Sequence, residues 1–84
     1  MEIVWDAVKR RANLAKHGLD FADLDMAFFA TALLRPGHSG RILAIGRHGK
    51  NLVVAVVFRP LGREALSIIS LRPASARERE LLDG

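Results

Sequence analysis

One run of seven residues, Leu52–Phe58 (LVVAVVF), constrains the fold of this chain more than any other. It is continuously apolar, without the in–out alternation of a half-solvated strand. A run of this length and β-branched content reads as a central strand covered on both faces. Its neighbours support a sheet. Arg41–Gly46 alternates, with Ile42 and Ala44 on one side and Leu43 and Ile45 on the other. Glu64–Leu71 is a third strand centred on Ile68 and Ile69. His48-Gly49-Lys50 and Pro60-Leu61-Gly62 supply the intervening turns, so these three strands are expected to form an antiparallel meander.

Helices are expected on either side. Glu2–Trp5 is a short edge strand, and Asp6 caps a helix from Ala7 to Lys16 or His17, stopped by Gly18. Val8, Ala12 and Ala15 form its narrow apolar stripe. A second helix is expected from Asp20, with Asp20, Asp23 and Asp25 in its first turns and Phe21, Leu24 and Phe28 on its apolar face. Ala32–Leu34 begins a strand, and Pro36-Gly37 turns. Pro73 ends the last strand. Ser75 and Glu78 have capping-box spacing for a final helix over Ala76–Leu82. Phe28 and Phe29 are consecutive. Either one of them faces a partner, as Leu14 on the first helix would, or the core wraps around both sides. The fold class is α+β: two N-terminal helices, an antiparallel sheet and a short C-terminal helix, in a single domain over residues 1–84.

Composition narrows the chemistry. There is no cysteine, which removes thiol catalysis, thiolate metal sites and the disulfide-scaffold class. His17, His38 and His48 lie on separate segments without ligand spacing. No phosphate-loop, dinucleotide, paired-carboxylate or nucleophile-elbow motif is present, so no metal and no cofactor are expected. No apolar run is long enough to span a bilayer and MEIVWD does not resemble a signal peptide, so a cytoplasmic protein is expected. The net charge is +4, supplied mostly by arginine, which fits nucleic acid or an acidic protein as partner.

That charge is patterned. Helical spacing puts Lys9, Asn13, Lys16 and His17 on one face of the first helix, a face without a carboxylate. Arg47, Lys50, Arg63, Arg72, Arg77 and Arg79 add cations elsewhere. Arg72 lies where the last strand feeds a helix N-terminus, a favourable place for an anion or for an ion pair with Asp20, Asp23 or Glu78. Cleavage of RNA without a metal needs little more. The 2′-OH is the nucleophile, and the protein supplies an acid, a base and cations for the phosphorane. Basic faces also bind nucleic acid without cutting it, and these residues alone leave both roles open.

Trp5-Asp6, Lys9, Asn13, Lys16-His17-Gly18 and Phe21 resemble the opening signature of the BrnT toxins, WDxxKxxxNxxKHGxxF. Gly46-Arg47 resembles their strand-end GR, and Ile68-Ile69-Ser70, Arg72, Ala74 and Glu78-Arg79 their closing IISxRxAxxxER. The resemblance implies a RelE-like fold and a ribonuclease toxin of a type II toxin–antitoxin pair, cutting RNA and inhibiting translation. It also implies a BrnA-type ribbon-helix-helix antitoxin, contact with operator DNA only through that antitoxin, a homodimer within the complex and no membrane. For such a ribonuclease, the basic helix face together with Arg72 makes His17 the expected general acid or base, Lys9 and Arg72 the expected phosphate holders, and Asn13, Lys16, Arg47, Arg63, Arg77 and Arg79 the expected RNA contacts, with the two chain ends expected to share one phosphate site. Two positions depart from the pattern. Ser67 stands where many members carry an arginine, and Leu81-Leu82 where many carry an aromatic. The first implies reduced activity or replacement by Arg63 or Arg47. The alternative to an enzyme is a non-catalytic binding module, a decayed toxin or co-repressor subunit.

Overall fold

A computed structural model describes all 84 residues. The elements run β1 (Glu2–Trp5), α1 (Ala7–His17), a 3₁₀ turn (Phe21–Asp23), α2 (Met26–Thr31), β2 (Leu33–Pro36), β3 (Ile42–His48), β4 (Leu52–Leu61), β5 (Ala65–Pro73) and α3 (Ala76–Asp83). They form one five-stranded sheet in the order β1-β5-β4-β3-β2, with β4 in the middle. The apolar run is therefore central, as its pattern requires, and Val53–Val56 are all buried.

Strands β3, β4 and β5 make the expected antiparallel meander, and β2 extends it antiparallel to β3. The sheet as a whole is mixed, because β1 pairs parallel to β5 from Glu2↔Ala65 to Trp5↔Ile68. A four-residue strand carries no sign of its distant partner, so the sequence pattern did not reveal this pairing. Pro60 and Leu61 still belong to β4, and the turn comes later, at Gly62–Glu64. Proline is tolerated there because β3 begins only opposite Phe58, leaving no ladder bond for Pro60 to break.

The expected second helix is broken in two. Asp20 accepts from the Ala22 N–H and caps only the 3₁₀ turn. Leu24 is extended, and Asp25 then accepts from the Phe28 N–H to cap α2. The break lets both consecutive aromatics turn inward. Phe28 and Phe29 are each buried, edge-to-face at 5.1 Å, and Phe29 meets Phe58 at 5.2 Å. With Phe21 and Leu24 they cover Ala44, Val54, Val56, Phe58, Leu66, Ile68 and Leu71 on one sheet face. Gly46 sits under Phe28, where a Cβ would lie 2.9 Å from the ring.

The opposite face carries Ile45 and Ala55, both fully buried. Here α3 contacts β3, and the Ala74 N–H donates to the Val53 carbonyl. The capping box of α3 is present in both directions between Ser75 and Glu78. The rest of this second face, toward the β4–β5 turn, is not covered by a helix. No helix is long and apolar enough to cross a membrane.

Candidate active site

Helix α1 lies where β1 stops. β1 pairs with β5 only as far as Ile68, so the backbone of Leu71 faces an edge without a strand. The Asn13 side chain takes the strand's place. It donates to the Leu71 carbonyl at 2.8 Å and accepts from the Leu71 N–H at 3.0 Å, the two bonds a neighbouring strand would make. Its second amide hydrogen goes to the Leu19 carbonyl at 3.1 Å. Asn13 is the one buried residue of α1. The expected apolar stripe does not pack inward: Val8 is 63% exposed, and Ala12 and Ala15 lie in the open. The helix is thus docked by an amide, and the amide capacity assigned above to RNA is taken up by backbone.

Other signature residues also build the scaffold. Asp6 accepts from the Val8 N–H, and Gly18 closes α1 at φ +69°, with its N–H donating to Leu14. Trp5 meets Phe21 edge-on at 6.4 Å, and the Arg10 guanidinium lies 5.8 Å from the Trp5 ring centre. Arg10 also makes a two-pronged pair with Asp20, at 2.7 and 2.9 Å. The Arg10 hydrogen bond, seconded by the Ala22 N–H, holds the Asp20 carboxyl down at about 2.

The residues left free are Lys9, Lys16 and His17. They line a cleft of about 270 Å³ with Ala12, Asn13, Ile69 and Ser70 and without a carboxylate. A β-bulge shapes its floor. Val57 pairs with Ser70 but Phe58 with Ile68, so Ile69 is an extra residue in β5. Ile68 and Leu71 point into the core, while Ile69 and Ser70 both turn to the second face, beneath α1.

Two further clefts continue from this one. Lys9 and Ile69 also border a hollow lined by Arg41, Arg59, Leu61 and Ser67. Arg41 in turn borders a third, with His38, Leu43, Val57 and Arg72 among its walls. None of the residues lining the three is acidic.

Arg72 shares the face but not the His17 cleft, lying beyond Ser70 by two residues, about 7 Å along β5. It is paired with Glu78 through two bonds, 2.7 and 2.9 Å, and Glu78 also accepts from the Ser75 N–H. The Arg72 hydrogen bond holds the Glu78 carboxyl down at about 2 against its desolvation. This ion pair lies within the C-terminal segment, at the start of α3, and Arg72 does not line the cleft that holds His17.

The remaining arginines are scattered. Arg47 pairs with Asp83 at 2.6 Å and borders a separate hollow containing Asp23 and Asp25. Arg63 is exposed in the β4–β5 turn, and Arg77 and Arg79 are exposed on α3; none lines the three basic clefts. Arg41 and Arg59, which do, were not singled out from the sequence. Counting by twos outward from Val57 along β4 places Arg59 on the open face, opposite Ser67. Arg59, and neither Arg63 nor Arg47, is thus the arginine that stands across from Ser67.

Comparison with known proteins identifies the family. Residues 5–78 match the family model described as ribonuclease toxin, BrnT, of type II toxin–antitoxin system. The crystal structure of the Brucella abortus ribonuclease toxin BrnT is 52% identical and superposes with a TM-score of 0.85, over 89% of this chain and 97% of that one. No curated protein sequence matches. With the signature residues folded into one scaffold and the match spanning nearly the whole chain, the protein belongs to the BrnT family of ribonuclease toxins of type II toxin–antitoxin systems.

Proposed function

We propose that the chain cuts RNA in the cleft between α1 and the β5 bulge, without a metal ion. The 2′-OH attacks the adjacent phosphorus; the new P–O2′ bond forms as the P–O5′ bond breaks. His17 accepts the 2′-OH proton or donates one to the departing 5′-oxygen, since imidazole serves either role near neutral pH, and water in the open cleft carries the other proton. Lys9, aided by Lys16, holds the phosphate and stabilises the extra charge of the phosphorane. Arg72 holds phosphate further along the same face through the N–H groups that Glu78 leaves unused. The products are a 2′,3′-cyclic phosphate and a 5′-hydroxyl. A RelE-like ancestry fits this chemistry. Cleavage of messenger RNA accounts for inhibition of translation. A BrnA-type ribbon-helix-helix antitoxin neutralises the toxin and contacts operator DNA for the complex, which holds the toxin as a homodimer.

The observation that carries this reading is the grouping of Lys9, Lys16 and His17 around one cleft lined by no carboxylate, in a member of a ribonuclease toxin family. Such a cleft attracts phosphate and repels metal cations. The test is incubation of the purified chain with end-labelled RNA in excess chelator, followed by analysis of the ends. Cyclic phosphate ends are expected. His17→Ala should lose about 100-fold or more in rate with an unchanged melting temperature. Cleavage that returns only on adding a divalent cation overturns metal independence, and an active His17→Ala overturns the site. Ser67 favours one second reading, a binding module that keeps antitoxin affinity but arrests no growth.

A further inference from the structure

We propose that Arg41 and Arg59 form a second anion site, which holds a backbone phosphate of the same RNA strand next to the one cleaved beside His17. The proposal rests on the ribonuclease reading above and adds a subsite to it.

Three observations carry it. First, the β3–β4 register runs Leu43↔Val57 and Ile42↔Phe58, and one more step sets Arg41 across from Arg59. Like charges directly opposite each other across strands destabilise a sheet. Neither arginine is relieved by a carboxylate: the ion pairs of the chain are Arg10–Asp20, Arg47–Asp83 and Arg72–Glu78. The polar contact of Arg59 is a long bond, 3.4 Å, to the Ser39 carbonyl, which does not offset a full charge. Two unrelieved guanidinium groups facing one hollow are a site waiting for an anion, at some expense to the free protein.

Second, the hollow is joined to the reaction cleft. Lys9 and Ile69 line both. An anion bound by Arg41 and Arg59 is therefore close to the one bound by Lys9. From β5 to β3 is two strand spacings, about 10 Å, so the pair serves a neighbouring phosphate and leaves the scissile one to Lys9. Third, the chemistry suits a sugar–phosphate chain. The guanidinium fork matches phosphate oxygens, while Leu61 and Ile69 give an apolar floor and Ser67 a hydroxyl. An acidic segment of a protein partner would also meet the charge, but nothing ties such a segment to the occupant of the His17 cleft, whereas an RNA strand is continuous through both.

The test uses the full chain and an Arg41→Ala/Arg59→Ala double variant. Once the cut position is mapped with wild type, a single-stranded RNA with one 2′-deoxy sugar there is used as a binding probe at several salt concentrations. The variant is expected to bind at least roughly tenfold more weakly. Its plot of log affinity against log salt should be shallower by about 0.7, one phosphate's worth for a single strand. A probe carrying a neutral methylphosphonate at the phosphate beside the cut should reduce wild type to the level of the variant and leave the variant unaffected. In cleavage, KM should rise with kcat preserved at saturating RNA, and Arg41→Lys/Arg59→Lys should recover part of the loss. The variant should melt no lower than wild type, because a repulsion is removed. Equal affinity and salt slope overturn the subsite, as does weakened binding of the antitoxin alone or a clear fall in melting temperature. A wild-type chain that cuts no RNA overturns the ribonuclease reading and this subsite together; one that cuts, with an indifferent double variant, overturns the subsite only.

Discussion

Replacing Asn13 by alanine separates the scaffold role of the signature from its chemistry. In the native fold the Asn13 amide makes three bonds, to the Leu71 N–H at 3.0 Å, the Leu71 carbonyl at 2.8 Å and the Leu19 carbonyl at 3.1 Å. Alanine leaves both backbone groups of Leu71 without partners, beneath a helix that cannot supply substitutes. A buried unpaired group costs about 1–3 kcal/mol. The adjoining cleft lets water recover part of this, so the loss should be about 3 kcal/mol. For a chain of 84 residues the total stability is roughly 4–13 kcal/mol, so the change is large. At roughly 4–8 °C per kcal/mol for a domain of this size, the melting point should fall by about 12–24 °C. Urea and thermal melts followed by far-UV dichroism measure it. Asn13→Asp provides the control. It keeps the acceptor for the Leu71 N–H but turns a carboxylate toward two carbonyls. It should be at least as unstable at neutral pH and recover as pH falls, when the protonated carboxyl regains a donor. If Asn13→Ala melts like wild type and loses RNA affinity instead, then Asn13 is an RNA ligand and the account of how α1 is docked is wrong.

Two other expectations concern stability. Glu78 titrates at about 2 in the fold and near 4.5 when free of its partners, so the unfolded chain binds more protons below pH 4.5. The Arg72–Glu78 contribution is therefore complete above about 4.5 and is lost as pH falls toward 2. An acid titration of stability should be flatter for Glu78→Gln than for wild type over that window, and parallel curves would rule out the pairing as its source. Gly46→Ala forces a methyl to 2.9 Å from the Phe28 ring. Overpacking of this kind should destabilise by about 1–3 kcal/mol in denaturant melts, and Phe28→Leu in the same chain should recover part of it.

The fold was legible where local chemistry decides it. Leu52–Phe58 announced the central strand, and Asp6, Gly18 and the Ser75–Glu78 pair marked helix ends where caps occur. What escaped depends on residues far apart in the chain. The aspartates at 20, 23 and 25 looked like the acidic first turns of one helix; two of them cap separate elements, because Leu24 must reach the core between them. The bulge at Ile69 is invisible in Ile68-Ile69-Ser70, since two isoleucines fit an ordinary apolar strand. Arg41 and Arg59 flank apolar runs and look like solvated strand ends until the register sets them face to face. The candidate cleft was half legible. Helical spacing grouped Lys9, Lys16 and His17, but nothing in it distinguished them from Asn13, which shares their face and is buried.

That shared face explains how so small a domain fixes a reaction cleft. Lys9, Lys16 and His17 are at positions −4, +3 and +4 from Asn13, so all three follow its direction on the helix. Asn13 is held by the backbone of Leu71, and Leu71 is the first core residue after the bulge. The same short segment of β5 therefore sets the rotation of α1 and turns Ile69 and Ser70 up beneath it. A shift of β5 by one residue would carry Leu71 out of the core and move the anchor of α1 with it. Helix and floor must move together, which keeps the three cations over the bulge without a loop or a bound ion to position them.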